Sequence, residues 1–207
     1  MKPMPMQITK PQAVSLPSDS NECWKVHGPK WEKWIGHLKG TPAQGLELGT
    51  FQGESAEAML DHIFTHPQSS YTCVDTFQGS AEHHVGGFDC SQLLQQTTHR
   101  LERFGHRVHI SESLSSAYLI NVRRELDFIY VDAGHDSINV LRDSVLAWDQ
   151  LVVGGVMVWD DYLWREFPDP LDCPRLAIDS FLTIYDRKLE VLQPPGWQIA
   201  VRKLSEA

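Results

Sequence analysis

Hydrophobic positions change their period several times along the chain, and each change predicts an element. Behind Pro29, a residue suited to a first helical position, Trp31, Trp34, Ile35 and Leu38 recur at helical spacing until Gly40 stops the run. That amphipathic helix carries an aromatic stripe of the kind that packs into a core. From Gly45 onward, short apolar runs alternate with helical patterns. Strands are predicted over 45–49, 71–75, 107–110, 127–132 and 153–159, with helices over 54–65, 91–104 and 138–151. The alternation specifies an α/β fold with a doubly wound parallel sheet and right-handed crossovers. Its tail breaks the rule: a helix over 174–185 precedes two strand-like runs, 189–192 and 197–203, joined through a Pro-Pro-Gly turn. Strands so closely joined can only be antiparallel neighbours. The expected sheet is therefore seven-stranded, mostly parallel, and closed by a C-terminal antiparallel hairpin.

Composition narrows the class. A chain of 207 residues with 42% hydrophobic and 22% charged positions makes one globular domain with ample core. Residues 1–28 are expected to form a flexible extension, and 29–207 a single domain. A formal net charge of -9 argues against a nucleic-acid partner, since phosphate-backbone binding rests on clustered Lys and Arg. Cys23, Cys73, Cys90 and Cys173 are scattered, without the spacing of a zinc site or a disulfide framework, so a reducing cytoplasm is the expected compartment. Prolines interrupt the first twenty residues where a signal peptide needs an apolar run, and no later stretch has the length of a bilayer span. Neither feature suggests a membrane partner.

Candidate chemistry concentrates first in Glu47-Leu-Gly-Thr-Phe-Gln-Gly-Glu-Ser55. Leu46 and Leu48 give a buried strand, Gly49 a sharp turn through Thr50 and Phe51, and Gly53 with Ser55 the opening of an alanine-rich helix. Such a turn ordinarily invites phosphate, but the acid Glu47 repels it and suits a cofactor cationic at its methionine end. S-adenosylmethionine fits, while an ordinary strand-turn-helix remains the plain alternative. A dehydrogenase would need a glycine where Glu47 stands. Asp75, followed by Thr76 after the second strand, is placed to accept the two hydroxyls of an adenosyl ribose. Ser113 and Ser115, after the third strand, are expected near the adenine, or else simply cap the next helix.

Acids also close the later strands: Asp132 the fourth, Asp160 and Asp161 the fifth. With DFIYVDAGHDS (127–137) and VGGVMVWDDYLW (153–164) added, the chain resembles the class I S-adenosylmethionine-dependent O-methyltransferases. ELGTFQGES is similar to the cofactor motif of the catechol O-methyltransferase group, and GGVMVWDDY to the segment after the fifth strand in macrocin-type sugar O-methyltransferases. The likeness runs from about Gly45 to the C-terminus. It implies methyl transfer to the hydroxyl of a small molecule, with Asp132 beside the cofactor. It also implies that Asp132, Asp160 and Asp161 surround Mg²⁺ or another divalent cation. His135 stands where the catechol type has its catalytic lysine, which makes it the candidate general base with Asp132 as its catalytic neighbour; a buried histidine bonded to a carboxylate is the alternative. A metal-independent methyltransferase and a noncatalytic cofactor-binding module are the rival readings. A homodimer is compatible with all of them. Glu82, His83 and His84 fall in a loop after the ribose acid, Trp159 in the core, and Trp164 at a pocket wall.

Overall fold

The computed structural model describes residues 20–206 apart from Glu166 and Pro194, and only the backbone of Ala81, Glu82 and Val85. Residues 1–19 of the expected extension lie outside the described residues. Helix α1 spans Ser20–Ile35, so it begins nine residues before the predicted start and holds Pro29 in its interior. A proline there removes one i→i−4 bond, and tertiary contacts hold the turn before it. Cys23 is buried, and the Trp24 indole stacks on His62 of α2 (Glu54–His62) with ring centroids 4.0 Å apart.

The sheet has seven strands in the order β3-β2-β1-β4-β5-β7-β6. Its strands are β1 (Gln44–Leu48), β2 (Ser70–Asp75), β3 (Val108–Glu112), β4 (Leu126–Val131), β5 (Leu151–Trp159), β6 (Leu189–Val191) and β7 (Ile199–Lys203). The first five are parallel, whereas β7 enters antiparallel between β5 and β6, as the hairpin pattern requires. Strand order reverses between β1 and β4, which makes their carboxyl ends a natural crevice. The remaining helices are α3 (Ala81–Gly86), α4 (Leu93–Leu101), α5 (Ser115–Asn121), α6 (Ser137–Trp148) and α7 (Arg175–Tyr185). Among the described residues no helix is long and apolar enough to cross a membrane.

Strand alternation sorts the core into two layers. Trp31, Trp34 and Ile35 of α1 and Met59 and Leu60 of α2 pack with Tyr71, Phe128, Tyr130 and Val158 on one face. On the other face, Leu46, Leu48, Ile129 and Trp159 meet Trp148 of α6 and Phe181 of α7. Because Leu46 and Leu48 take the second face, the period of two turns Glu47 toward the α1–α2 face, flanked in register by Cys73 and Tyr130. One acid thus enters an otherwise apolar layer.

Candidate active site

The cofactor-like turn is built on close backbone contact. Gly49 has φ +89°, and a Cβ there would lie 1.9 Å from the Asp132 carbonyl oxygen, so the position admits only glycine. Gly49 N donates to Val74 O (2.8 Å) and Asp132 N to Leu48 O (2.8 Å), which pins the end of β1 between β2 and β4. Phe51 (φ 47°) and Phe77 (φ 54°) both adopt left-handed backbone that is costly for an aromatic residue. Asp75 over-determines both: its Oδ2 accepts from Phe51 N and its Oδ1 from Phe77 N, each at 2.7 Å. Thr97 Oγ1 donates to Phe51 O at 2.6 Å. Gly53 (φ +83°) then starts α2, and Arg100 of α4 bridges Glu54 and Glu57 of its first turn at 3.2 and 3.1 Å.

Glu47 is fully buried. Ser55 Oγ donates to its Oε1, and its Oε2 has no hydrogen-bond partner among the described residues. Burial pushes this carboxyl up to about 8, against the opposing Ser55 bond and with help from the charges of Asp75 and Glu54. Thr50 is buried beside Cys73, and Thr76 is taken up locally, its Oγ1 accepting from Gln78 N at 3.3 Å. The segment expected to be a loop is helix α3, whose Ser80 and His83 form its capping box; His83 also stacks on Phe51, centroids 4.3 Å apart. Ser113 N donates to Asp75 O (2.9 Å), and Ser115 bonds Asp143, a buried α6 acid that burial raises to about 6.

The second group of acids departs from the expected set. Ligand atoms of Asp132, His135 and Asp161 lie within 4.8 Å of one another, with His135 Nε2 3.0 Å from Asp161 Oδ2. Asp160, expected among them as a metal ligand, makes its bonds elsewhere. Its Oδ2 accepts from the Tyr130 hydroxyl and from Gln198 Nε2 (3.0 Å), and its Oδ1 from Asp161 N (2.8 Å). Asp160 continues the alternation of β5, in which Trp159 takes the α6–α7 face and its neighbour the α1–α2 face. Asp161 leaves it through a left-handed φ of 59°, which carries adjacent carboxylates to different walls. Trp197 Nε1 holds Asp161 Oδ1 at 3.2 Å, and Trp164 packs on the His135 ring with centroids 4.7 Å apart. Trp159 is core, its Nε1 donating to Ser144 Oγ at 2.8 Å.

Burial and the charges of Asp160 and Asp161 hold the Asp132 carboxyl well above the usual carboxylate range, with His135 opposing. Three carboxyl groups and an imidazole around one small pocket, lined also by Gly134 and Pro174, suit a divalent cation that relieves the repulsion among the acids. Two carboxylates and an imidazole fit Mn²⁺ or a later transition metal as readily as Mg²⁺. Sequence reasoning missed Tyr130, Gln198 and His27, the last lying on α1 with its charge coupled to Asp160 and its side chain close to Gln198. A glutamine immediately before the apolar run of β7 was the one visible signal.

With this geometry in hand, a family model described as "Methyltransferase domain" matches residues 46–162, more than half of the chain. No curated protein matches. Among solved structures, the O-methyltransferase NovP is similar at 14% identity and TM-score 0.63, covering 88% of this chain and 80% of its own. MycE, from the mycinamycin biosynthetic pathway and solved with Mg, SAH and mycinamycin VI, has 16% identity and TM-score 0.63, over 92% of this chain and 56% of MycE. An rRNA methylase from Streptococcus thermophilus has 14% identity and TM-score 0.61, over 87% of this chain and 96% of its own. By its matched segment and its sheet order, the chain belongs to the methyltransferase-domain family and is a class I S-adenosylmethionine-dependent methyltransferase, as its sequence resemblance implied.

Proposed function

We propose that the chain transfers a methyl group from S-adenosylmethionine to a hydroxyl oxygen of a small molecule, with a divalent cation held by Asp132, His135 and Asp161. One observation carries this reading: the carbonyl of Asp132 packs directly on Gly49 of the cofactor turn, so the Asp-His-Asp group adjoins the site for the methyl donor. The unpartnered Glu47 Oε2 offers a hydrogen-bond acceptor to the ammonium of a methionyl end, and Asp75 keeps lone pairs for the ribose hydroxyls. When bound, the cation supplies Lewis acidity that makes a hydroxyl easier to deprotonate. The protein's own work is to orient donor and acceptor in line, exclude water and keep Asp161 fixed through Trp197. The O-methyltransferase character of NovP and the magnesium in MycE support oxygen as the acceptor and a cation at this group. The net charge of -9 supports a small molecule over RNA.

A second reading rests on the 3.0 Å His135–Asp161 pair. A carboxylate that orients an imidazole can make His135 the proton acceptor without any cation. One experiment separates the two. A panel of phenols, sugars and polyketide alcohols, with an rRNA fragment as a further arm, is incubated with methyl-labelled cofactor before and after exhaustive chelation. Transfer that disappears on chelation and returns with Mn²⁺ or Mg²⁺ supports the first reading. Undiminished transfer supports the second, and transfer to RNA alone overturns both.

A further inference from the structure

The seven tryptophans divide by what holds them. Trp31, Trp34, Trp148, Trp159 and Trp164 are buried, and Trp24 stacks on His62. Trp197 differs. It is 43% exposed, yet its Nε1 donates to Asp161 Oδ1 at 3.2 Å and its carbonyl accepts from Tyr162 N at 3.0 Å. The next residue, Gln198, is fully buried and bonded to Asp160 and Tyr130, so the indole stands on fixed backbone.

An indole has one N–H to donate and no acceptor. With that N–H taken by Asp161, what Trp197 leaves open is a rigid π face and carbon edge. The other indole at the Asp161–His135 pair, Trp164, is 8% exposed and lies on the His135 ring. The pair is thus flanked by two indoles, one closed by packing and one open. Leu163 and Phe167, on either side of Trp164 in the chain, are exposed as well. A lone apolar residue on a surface is ordinary. One whose edge is bonded to a carboxylate of the site is pre-organised there, and rigidity lowers the entropic cost of receiving a partner.

On the reading that the Asp-His-Asp group receives the acceptor oxygen, we propose that Trp197 is the specificity-determining residue for the acceptor: its open indole face stacks on the ring that carries the hydroxyl, and so favours ring-borne hydroxyls over those on open chains. An oxygen brought to Asp161 brings its own ring to the indole, because the same carboxylate holds the indole edge. A phenol meets this surface with a π face and a pyranoside with a face of C–H groups. Both offer a ring face of low polarity beside the reacting oxygen. An open-chain alcohol offers none.

The test reads discrimination and binding separately. Values of kcat/KM for a phenol and for a methyl pyranoside, each divided by that for an open-chain diol, are compared in the wild-type chain, Trp197→Phe and Trp197→Leu. Loosening Asp161 lowers all acceptors alike and cancels in the ratio, whereas loss of a stacking face does not. Trp197→Phe keeps a ring without the N–H, so it should lose turnover on every acceptor but hold the ratios within about threefold, while Trp197→Leu should lower the ratio for the preferred ring roughly tenfold. Which ring suffers that loss tells phenol from sugar. Ratios unchanged in Trp197→Leu for both rings overturn the inference and leave the proposed transfer standing.

Binding is read by fluorine NMR of the fluorotryptophan-labelled chain with S-adenosylhomocysteine and Mg²⁺, the Trp197 signal being the one missing from Trp197→Phe. A ring acceptor should shift that signal and the diol should not, a comparison that needs neither turnover nor a folded leucine variant. A shift without methylation of any acceptor sinks the proposed function and upholds the stacking site. A signal unmoved by both rings overturns the inference.

Discussion

His135 Nε2 and Asp161 Oδ2 stand 3.0 Å apart, and Trp197 holds the other oxygen of Asp161 from β7's leading edge. The imidazole is thus oriented by a carboxylate that is itself anchored, which suits either cation binding or proton transfer. His135→Gln is expected to lower turnover roughly 10²- to 10⁴-fold while leaving cofactor affinity unchanged. Steady-state kinetics beside calorimetry checks this; wild-type turnover would remove His135 from the chemistry.

Asp160 and Asp161 should separate under mutation. Asp160→Ala strips the acceptor from Tyr130 and Gln198, leaving buried donors unmet, and should destabilise the fold by about 2 to 4 kcal/mol. Asp161→Ala should cost little stability but weaken Mn²⁺ binding severalfold or more. Denaturant unfolding and metal titration of both variants would expose the reverse pattern if Asp160 were the ligand.

Gly49→Ala is expected to be far worse than a surface Gly→Ala change. Both the left-handed backbone and the 1.9 Å approach to the Asp132 carbonyl oppose a methyl group, so the ends of β1 and β4 must part. A loss of about 3 kcal/mol or more, with no measurable cofactor binding, is expected; intact calorimetric binding would refute the close-contact account.

Stability of the cofactor-free chain should fall as pH rises. Burial raises Glu47 to about 8 and Asp143 to about 6 in the folded chain, above the usual carboxylate range. Each folded carboxyl therefore binds its proton more tightly than the unfolded one. The stability this gives is complete below the unfolded value and is lost as pH climbs through the folded one. Thermal melts from about pH 5 to about pH 9 should show the decline, and Glu47→Gln should flatten its upper part.

Much of this architecture was legible because alternating periods at 45–159 encode strands and helices locally, and the Pro-Pro-Gly turn announced the hairpin. Gly49, Glu47 and Asp75 could be placed because a turn after a buried strand fixes where its side chains go. Three features were not legible. Pro29 looked like a helix start because the contacts that carry α1 back to Ser20, Trp24 on His62 above all, are tertiary. Asp160 looked like a partner of Asp161 because adjacency in sequence hides the left-handed twist that parts them. His27 and Gln198 meet Asp160 from opposite ends of the chain, a proximity that no local pattern carries.

The placement of β7 between β5 and β6 sets an order of assembly. Strand β6 pairs with β7 alone, so although it is synthesised first it has no seat in the sheet until β7 has docked on β5. The same docking brings Trp197 to Asp161 and Gln198 to Asp160. Strands β1 to β5 therefore carry the turn after β1 and lead into both acids, yet lack the side chains that aim those acids. The aim of both acids thus depends on the last strand of the sheet rather than on the strands that carry them.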